Sequence, residues 1–239
     1  MSLDIGEVLQ EGFDRTLEKN GLMFAGLFYV TSLLSAVASD TLMKGMEFST
    51  MYQGQMQQAT YPLAAGSAAL GGVLALVGSL VSALIGVAAL RTFTSSETET
   101  IPTEYFTDNI LFVLGNLIVG GIAFAVMVGF GFLLLVIPGL FLLVSLYFWN
   151  VIVIVERSNF IDAMQESWNM TSGNRLKLFL LGAVVLIGTG IFTSILSMPI
   201  NLVLGPSPVA SILALIPGAL TAVFSSATTA SAYKQLKED

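Results

Sequence analysis

The stretch NILFVLGNLIVGGIAFAVMVGFGFLLLVIPGLFLLVSLYFWNVIVIV, residues 109–155, contains no Asp, Glu, Lys or Arg. A bilayer core of about 30 Å needs roughly 20 apolar residues of helix, so this run is long enough to cross twice. Residues 48–90 and 178–233 are equally free of charge. Charged residues make up only 10% of the chain and mean hydropathy is +0.84, whereas soluble domains carry about 25% charged residues. Because lipid offers no partner to a bare peptide group, long apolar runs of this kind cross as helices. The fold class is therefore all-α: a polytopic membrane protein with about six transmembrane helices, at residues 21–39, 63–90, 110–128, 132–155, 178–198 and 209–233. Within the opening stretch, Gly129-Phe130-Gly131 is the expected turn, because it leaves both helices long; a turn at Pro138-Gly139 is the alternative.

Charge sets the expected orientation. With both termini on the cytoplasmic side, Arg15, Lys19, Arg91, Arg157, Arg175, Lys177, Lys234 and Lys237 all fall inside and only Lys44 falls outside. That is the bias of a cell-membrane protein with an even number of spans. The N-terminal stretch does not read as a secretory signal, since Asp4 and Glu7 precede any apolar run. The net charge of −7 suits hydration of water-facing parts at high salt, as in a halophilic archaeon. The outer loop, residues 40–62, is rich in Met and Gln. It reads either as an adaptable partner surface or as a helical extension of the flanking spans.

An internal repeat runs through the chain. Residues 5–24 align with residues 160–179 at a constant offset, pairing Gln10-Glu11 with Gln165-Glu166, Gly12-Phe13-Asp14 with Ser167-Trp168-Asn169, and Thr16 with Thr171. Both stretches are amphipathic at helical spacing. In the first, Ile5, Val8, Leu9, Phe13 and Leu17 share a face; in the second, Phe160, Ile161, Met164 and Trp168 do. Glu104-Tyr105-Phe106 is a weaker third copy. The expectation is one membrane domain of three hairpin units, residues 1–91, 92–156 and 157–239, each preceded by a cytoplasmic-side amphipathic helix with a buried aromatic: Phe13, Phe106 or Trp168.

A second motif recurs in the even-numbered spans. Leu135-Val136-Ile137-Pro138-Gly139 resembles Ala214-Leu215-Ile216-Pro217-Gly218, and Gly78 occupies a comparable place in the second span. Proline inside a helix removes a hydrogen bond and bends the axis. The Pro-Gly breaks read as packing kinks, with a hinge or a site at a broken helix as the alternatives.

Residues 133–141 (LLLVIPGLF), then Val153-Ile154-Val155-Glu156, then Ala163-Met164-Gln165-Glu166-Ser167-Trp168 with Thr171 and Gly173, resemble the membrane domain found in some glycerophosphoryl diester phosphodiesterases. They are similar also to related stand-alone membrane proteins of bacteria and haloarchaea. The resemblance is sharpest over residues 132–180 and implies architecture rather than activity, because in those enzymes a separate soluble barrel hydrolyses the substrate, and these residues hold no such barrel. Gln165, Glu166 and Asn169 stand where the family carries basic residues.

The available chemistry is narrow. The chain has no Cys and no His, which removes thiolate chemistry, the commonest metal ligand and the commonest general base. There is no phosphate-binding glycine loop and no nucleophile elbow. No catalytic residue, metal ligand or cofactor is expected, and no nucleic-acid partner. Gly71, Ala75, Ser79 and Ala83, and Gly78, Ser82 and Gly86, form small-residue ridges suited to close helix packing. Asn116 and Asn150 lie within spans and read as interhelical bridges, or as polar groups on a path. The sequence thus favours a non-enzymatic membrane scaffold or accessory subunit, in contact with lipid and with a membrane or cytoplasmic protein partner through Phe13, Phe106, Trp168, Glu11 and Glu166. The alternative is a transporter or lipid-handling protein with a cavity near Asn116, Asn150, Pro138, Gly139, Pro217 and Gly218.

Overall fold

A computed structural model describes residues 3–45 and 67–237. In chain order the helices are α1 (Ile5–Leu17), α2 (Lys19–Gly45), α3 (Ala68–Thr94), α4 (Glu104–Thr107), α5 (Ile110–Leu134), α6 (Val136–Ser145), α7 (Trp149–Glu156), α8 (Phe160–Met170), α9 (Arg175–Leu204), α10 (Pro208–Leu213) and α11 (Leu215–Lys237). No strand occurs among the described residues. Six segments are long and apolar enough to cross a membrane: Lys19–Gly45, Ala68–Thr94, Ile110–Leu134, Val136–Glu156, Arg175–Leu204 and Pro208–Lys237. Their outward faces carry Leu111, Leu133, Ile137 and Val203, each more than three-quarters exposed. Burying apolar surface is worth about 25 cal/mol per Å², so a surface this apolar is matched to lipid rather than water. The protein is an all-α polytopic membrane protein.

The described helices overrun the expected spans at several ends and take in Lys19, Asp40, Arg91 and Arg175. The proposed loop at residues 40–62 is helical as far as Gly45, where Lys44 pairs with Asp40 at 3.4 Å. The rest of that loop lies outside the described residues.

The turn between the third and fourth spans is not at Gly129-Phe130-Gly131. Helix α5 runs through these residues to Leu134, and the chain reverses at Leu135 in an extended conformation (φ −163°, ψ 156°). The cause is Pro138, whose ring excludes the carbonyl four residues earlier and which has no N–H to give. That carbonyl belongs to Leu134, the last residue of α5. Pro138 itself falls in the first turn of α6, where a missing donor costs nothing. The glycines serve close approach instead: a Cβ on Gly131 would lie 2.9 Å from Gly139 Cα. Pro217 obeys the same register. Helix α10 ends four residues before it, at Leu213, Ala214 intervenes, and α11 begins at Leu215. Here Ala214 keeps a helical conformation (φ −66°, ψ −11°), so the segment is interrupted without reversing. Both Ile-Pro-Gly motifs start helices rather than kinking helix interiors.

The fourth segment is broken elsewhere, at Leu146-Tyr147-Phe148, between α6 and α7. The backbone groups at this break are met by side chains of α8. Ser167 Oγ donates to Ser145 O (3.1 Å) and accepts from Phe148 N (3.1 Å), and Thr171 Oγ1 donates to Ser145 O (3.2 Å). A side chain entering the helical ladder is an established cause of a break.

The chain packs as two compact units, each assembled from segments distant in the sequence. The first comprises Met1–Asn20, Gly86–Ile187 and Phe224–Asp239. Val8, Phe148, Ile152, Val153, Ala163, Leu178 and Leu181 form its core. The second comprises Gly21–Ile85 and Gly188–Val223. There Phe24 and Ala38 are buried, Tyr29 Oη donates to Ile212 O (3.3 Å), and Gly71 lies against the Leu42 backbone.

Candidate functional site

Chemistry-bearing side chains gather in the first unit. Helix α1 begins at Asp4, whose Oδ1 accepts from Gly6 N (2.9 Å) and Glu7 N (3.1 Å). Helix α8 begins at Asn159, whose Oδ1 accepts from Ile161 N and Asp162 N, both at 3.0 Å. Asp and Asn are favoured here because the side chain satisfies amides that the helix leaves open. Each helix then buries a narrow stripe at matching positions: Val8, Gly12 and Thr16 in α1, and Ala163, Ser167 and Thr171 at and beyond α8. Small residues let the backbones come close; a Cβ on Gly12 would stand 3.0 Å from Thr228 Cα.

This stripe corrects the expected faces. Phe13 is 56% exposed and Trp168 39% exposed, with Leu17 and Ile161 also outward, and Phe106 is half-buried on α4. The aromatics are therefore not the buried anchors of these helices. The close packing is made by the small residues one position away, and a bulky ring does not fit there. Trp168 instead meets Phe141 edge-on at 5.4 Å, and the Arg175 guanidinium lies over both rings at 4.7 and 4.6 Å.

The acidic residues are committed internally. Glu11 accepts from Lys234 Nζ (2.8 Å) and Ser231, and Glu166 pairs with Lys237, which also reaches Glu156 at 2.7 Å. Tyr233 donates to Glu156. Gln235 Nε2 donates to Glu7 (3.0 Å) and Gln235 Oε1 accepts from Asp4 N (2.8 Å). The last turns of α11 thus clamp both capped helices. Burial raises the Glu11 carboxyl, but hydrogen bonds from Lys234 and Ser231 and the charges of Lys234 and Arg15 outweigh it and hold it below the usual range. A lowered folded value contributes stability that is present above the unfolded pKa of about 4.3 and is lost as pH falls through the folded value. Thermal unfolding followed from pH 6 down to pH 3 is expected to show this loss in the wild type. Glu11→Gln, less stable at pH 6, is expected to show a shallower decline; an unchanged slope would reject the assignment.

Two arginines do work that a count of positive charge does not reveal. Arg15 donates to Thr92 O (2.9 Å) and Ser95 O (2.9 Å) at the end of α3, and to Glu97 O (2.8 Å). Arg91 donates through Nε to Ile154 O (3.2 Å), near the end of α7, and through Nη1 to Tyr105 O and Asp108 O, both at 3.0 Å. Both side chains are more than nine-tenths buried. Carbonyls at helix C-termini lack intrahelical donors, and a cation there also answers the helix dipole. The sequence signal available was position alone, at the border of a charge-free run.

Among the described residues, this unit holds at least three clefts. One, of 380 Å³, is lined by Arg91, Arg157, Glu104, Asp108, Tyr105 and neighbouring small residues. A second, of 450 Å³, follows α8 beside Glu166 and Lys237. A third, of 610 Å³, is mostly apolar and runs between α5, α6 and α8, with Met127, Leu142, Leu146, Phe160, Met164 and Trp168 on its walls. None of the three is lined by Asn116, Asn150, Pro138, Gly139, Pro217 or Gly218. Asn116 is a bridge, with Oδ1 accepting from Phe160 N (2.9 Å) at the start of α8 and Nδ2 donating to Phe112 O (2.9 Å). Asn150 is half-buried on α7. Gly78 faces the Leu34 and Ser35 side chains, and open space surrounds Gly218. Among the described residues, no group of three or more acidic side chains is placed to hold a metal ion.

No curated protein and no solved structure matches this chain. A family model described as "Domain of unknown function (DUF7847)" matches residues 3–236, nearly the whole length, and the chain belongs to that family.

Proposed function

We propose that the protein is a non-enzymatic scaffold or accessory subunit of the cell membrane, with both termini cytoplasmic. The observation that carries the reading is the clamp: Lys234 and Lys237 hold Glu11 and Glu166, so that α1 and α8 are fixed with Phe13, Leu17, Ile161 and Trp168 turned outward. An apolar, aromatic-bearing face on a short amphipathic helix suits the boundary between headgroups and acyl chains. The orientation is supported by the unit in which Asp4 and Gln235 meet, since it holds eight of the nine basic residues. The matched N-caps and matched buried stripes of α1 and α8 support a repeated unit. A fixed platform of this kind presents a constant surface to a partner within or beside the membrane.

The chain has two tryptophans, and Trp149 is buried. In a Trp149→Phe variant reconstituted in bilayers, Trp168 fluorescence is expected to be quenched most by lipids labelled near the headgroup. Quenching only by labels at the bilayer centre, or none, rejects the interfacial placement. Purification from native membranes is expected to retain a stoichiometric partner that is lost in Phe13→Ala/Trp168→Ala. A lone homogeneous species in native membranes would sink the scaffold reading.

A lipid-handling role is the second reading, favoured by the 610 Å³ apolar cleft beside the break at Leu146-Tyr147-Phe148. Lipid flux in reconstituted vesicles above that of protein-free vesicles, abolished by Leu146→Trp, would support it over the first.

A further inference from the structure

We infer that the 380 Å³ cleft lined by Arg91 and Arg157 binds a phosphate group, whether of a lipid headgroup or free in solution. Arg91 is 7% exposed; its Nε and Nη1 donate to three carbonyls, while Nη2 has no partner among the described residues. A buried guanidinium nitrogen without an acceptor is costly. A tetrahedral oxyanion supplies such an acceptor, and a planar guanidinium fork matches its geometry.

Arg157 lines the same cleft. It caps α7 with φ +57°, in the left-handed region. That conformation is strained for an ordinary residue and free for glycine, so the position carries a strained backbone together with a charged side chain. Arg157 pairs with Asp108, both about half exposed. A pair this open contributes little and can be exchanged for another anion. Thr94, Ser95 and Tyr105 add hydroxyl groups to the walls. Glu104 and Asp108 balance the two arginines, which suits a phosphate carrying one negative charge over one carrying two. The cleft sits at the end of the Ala68–Thr94 segment, which is long and apolar enough to cross a membrane.

The test uses the full chain, purified in detergent, at pH 6 and fixed ionic strength. One arm titrates inorganic phosphate against chloride; the other compares nanodiscs of phosphatidylglycerol with nanodiscs of an uncharged glycolipid, each read by the unfolding temperature. Saturable stabilisation is expected in at least one arm. Stabilisation by inorganic phosphate assigns the site to free phosphate, and stabilisation by phosphatidylglycerol alone assigns it to a headgroup. Asp108→Asn, which removes the competing carboxylate, is expected to tighten binding several-fold. Arg157→Gln, at an exposed position, is expected to weaken it at least tenfold while leaving the circular dichroism unchanged. Absence of saturable stabilisation in both arms, or equal affinity in both variants and wild type, overturns the proposal.

Discussion

Arg91→Ala is expected to lower the unfolding temperature of the purified protein by about 10 °C. The substitution leaves Ile154 O, Tyr105 O and Asp108 O without their donor. A hydrogen bond from a charged group is worth about 1.5–3 kcal/mol net. Losing three would cost more than 4 kcal/mol if nothing replaced them, but the adjoining cleft admits water, which recovers part of the loss. A net of about 3–5 kcal/mol remains, and for a chain of this size each kcal/mol moves the midpoint by about 2–4 °C. Arg91→Lys keeps the charge but not the fork, so it reaches fewer carbonyls and is expected to fall between wild type and alanine. Differential scanning fluorimetry in one detergent measures the series. A shift of less than about 2 °C for alanine would mean that water replaces the guanidinium fully.

Gly71→Leu is expected to be the most damaging change on the small-residue ridges, at about 2–3 kcal/mol. A Cβ at Gly71 would stand 2.3 Å from Leu42 N and 2.5 Å from Leu42 Cα. Ordinary carbon contacts are about 3.5–4.0 Å. Because the obstruction is backbone, it cannot rotate away, and α2 and α3 must separate there by more than about 1 Å, against the usual overpacking cost of about 1–3 kcal/mol. The neighbouring glycines are the controls. Gly78 has only side-chain atoms near it, of Leu34 at 3.5 Å and Ser35 at 3.8 Å, and Gly86 has nothing within 4 Å. Gly78→Ala and Gly86→Ala are expected to unfold within about 1 °C of wild type, the latter gaining a little from helix propensity. Equal losses at all three positions would show that helix separation is not what matters.

These two cases mark where local reading stops. Gly71, Gly78 and Gly86 are alike in the sequence, each in a ridge of small residues spaced by four, yet only Gly71 touches a neighbouring backbone. Arg91 and Lys19 count equally toward orientation, but one is buried as a cap and the other is exposed. Spacing places a residue on a helix face; it does not say which face meets another helix. The same limit explains Phe13 and Trp168. Their apolar character was legible, but the stripe that packs was the small-residue one beside them.

The sequence by itself determined that this chain is an all-α polytopic membrane protein with six membrane-crossing segments. Charge-free runs of that length leave the backbone no other way through lipid. It did not determine where helices stop: Pro138 and Pro217 each follow a helix end by four residues, whereas Pro199 lies inside α9 without ending it. Tertiary structure decided the rest. At Leu135 the chain reverses, while at Ala214 it continues, because packing rather than proline chooses the direction after a break. The interruption at Leu146-Tyr147-Phe148 has no local cause at all; it exists because Ser167 and Thr171, on another helix, supply the hydrogen bonds that the ladder gives up.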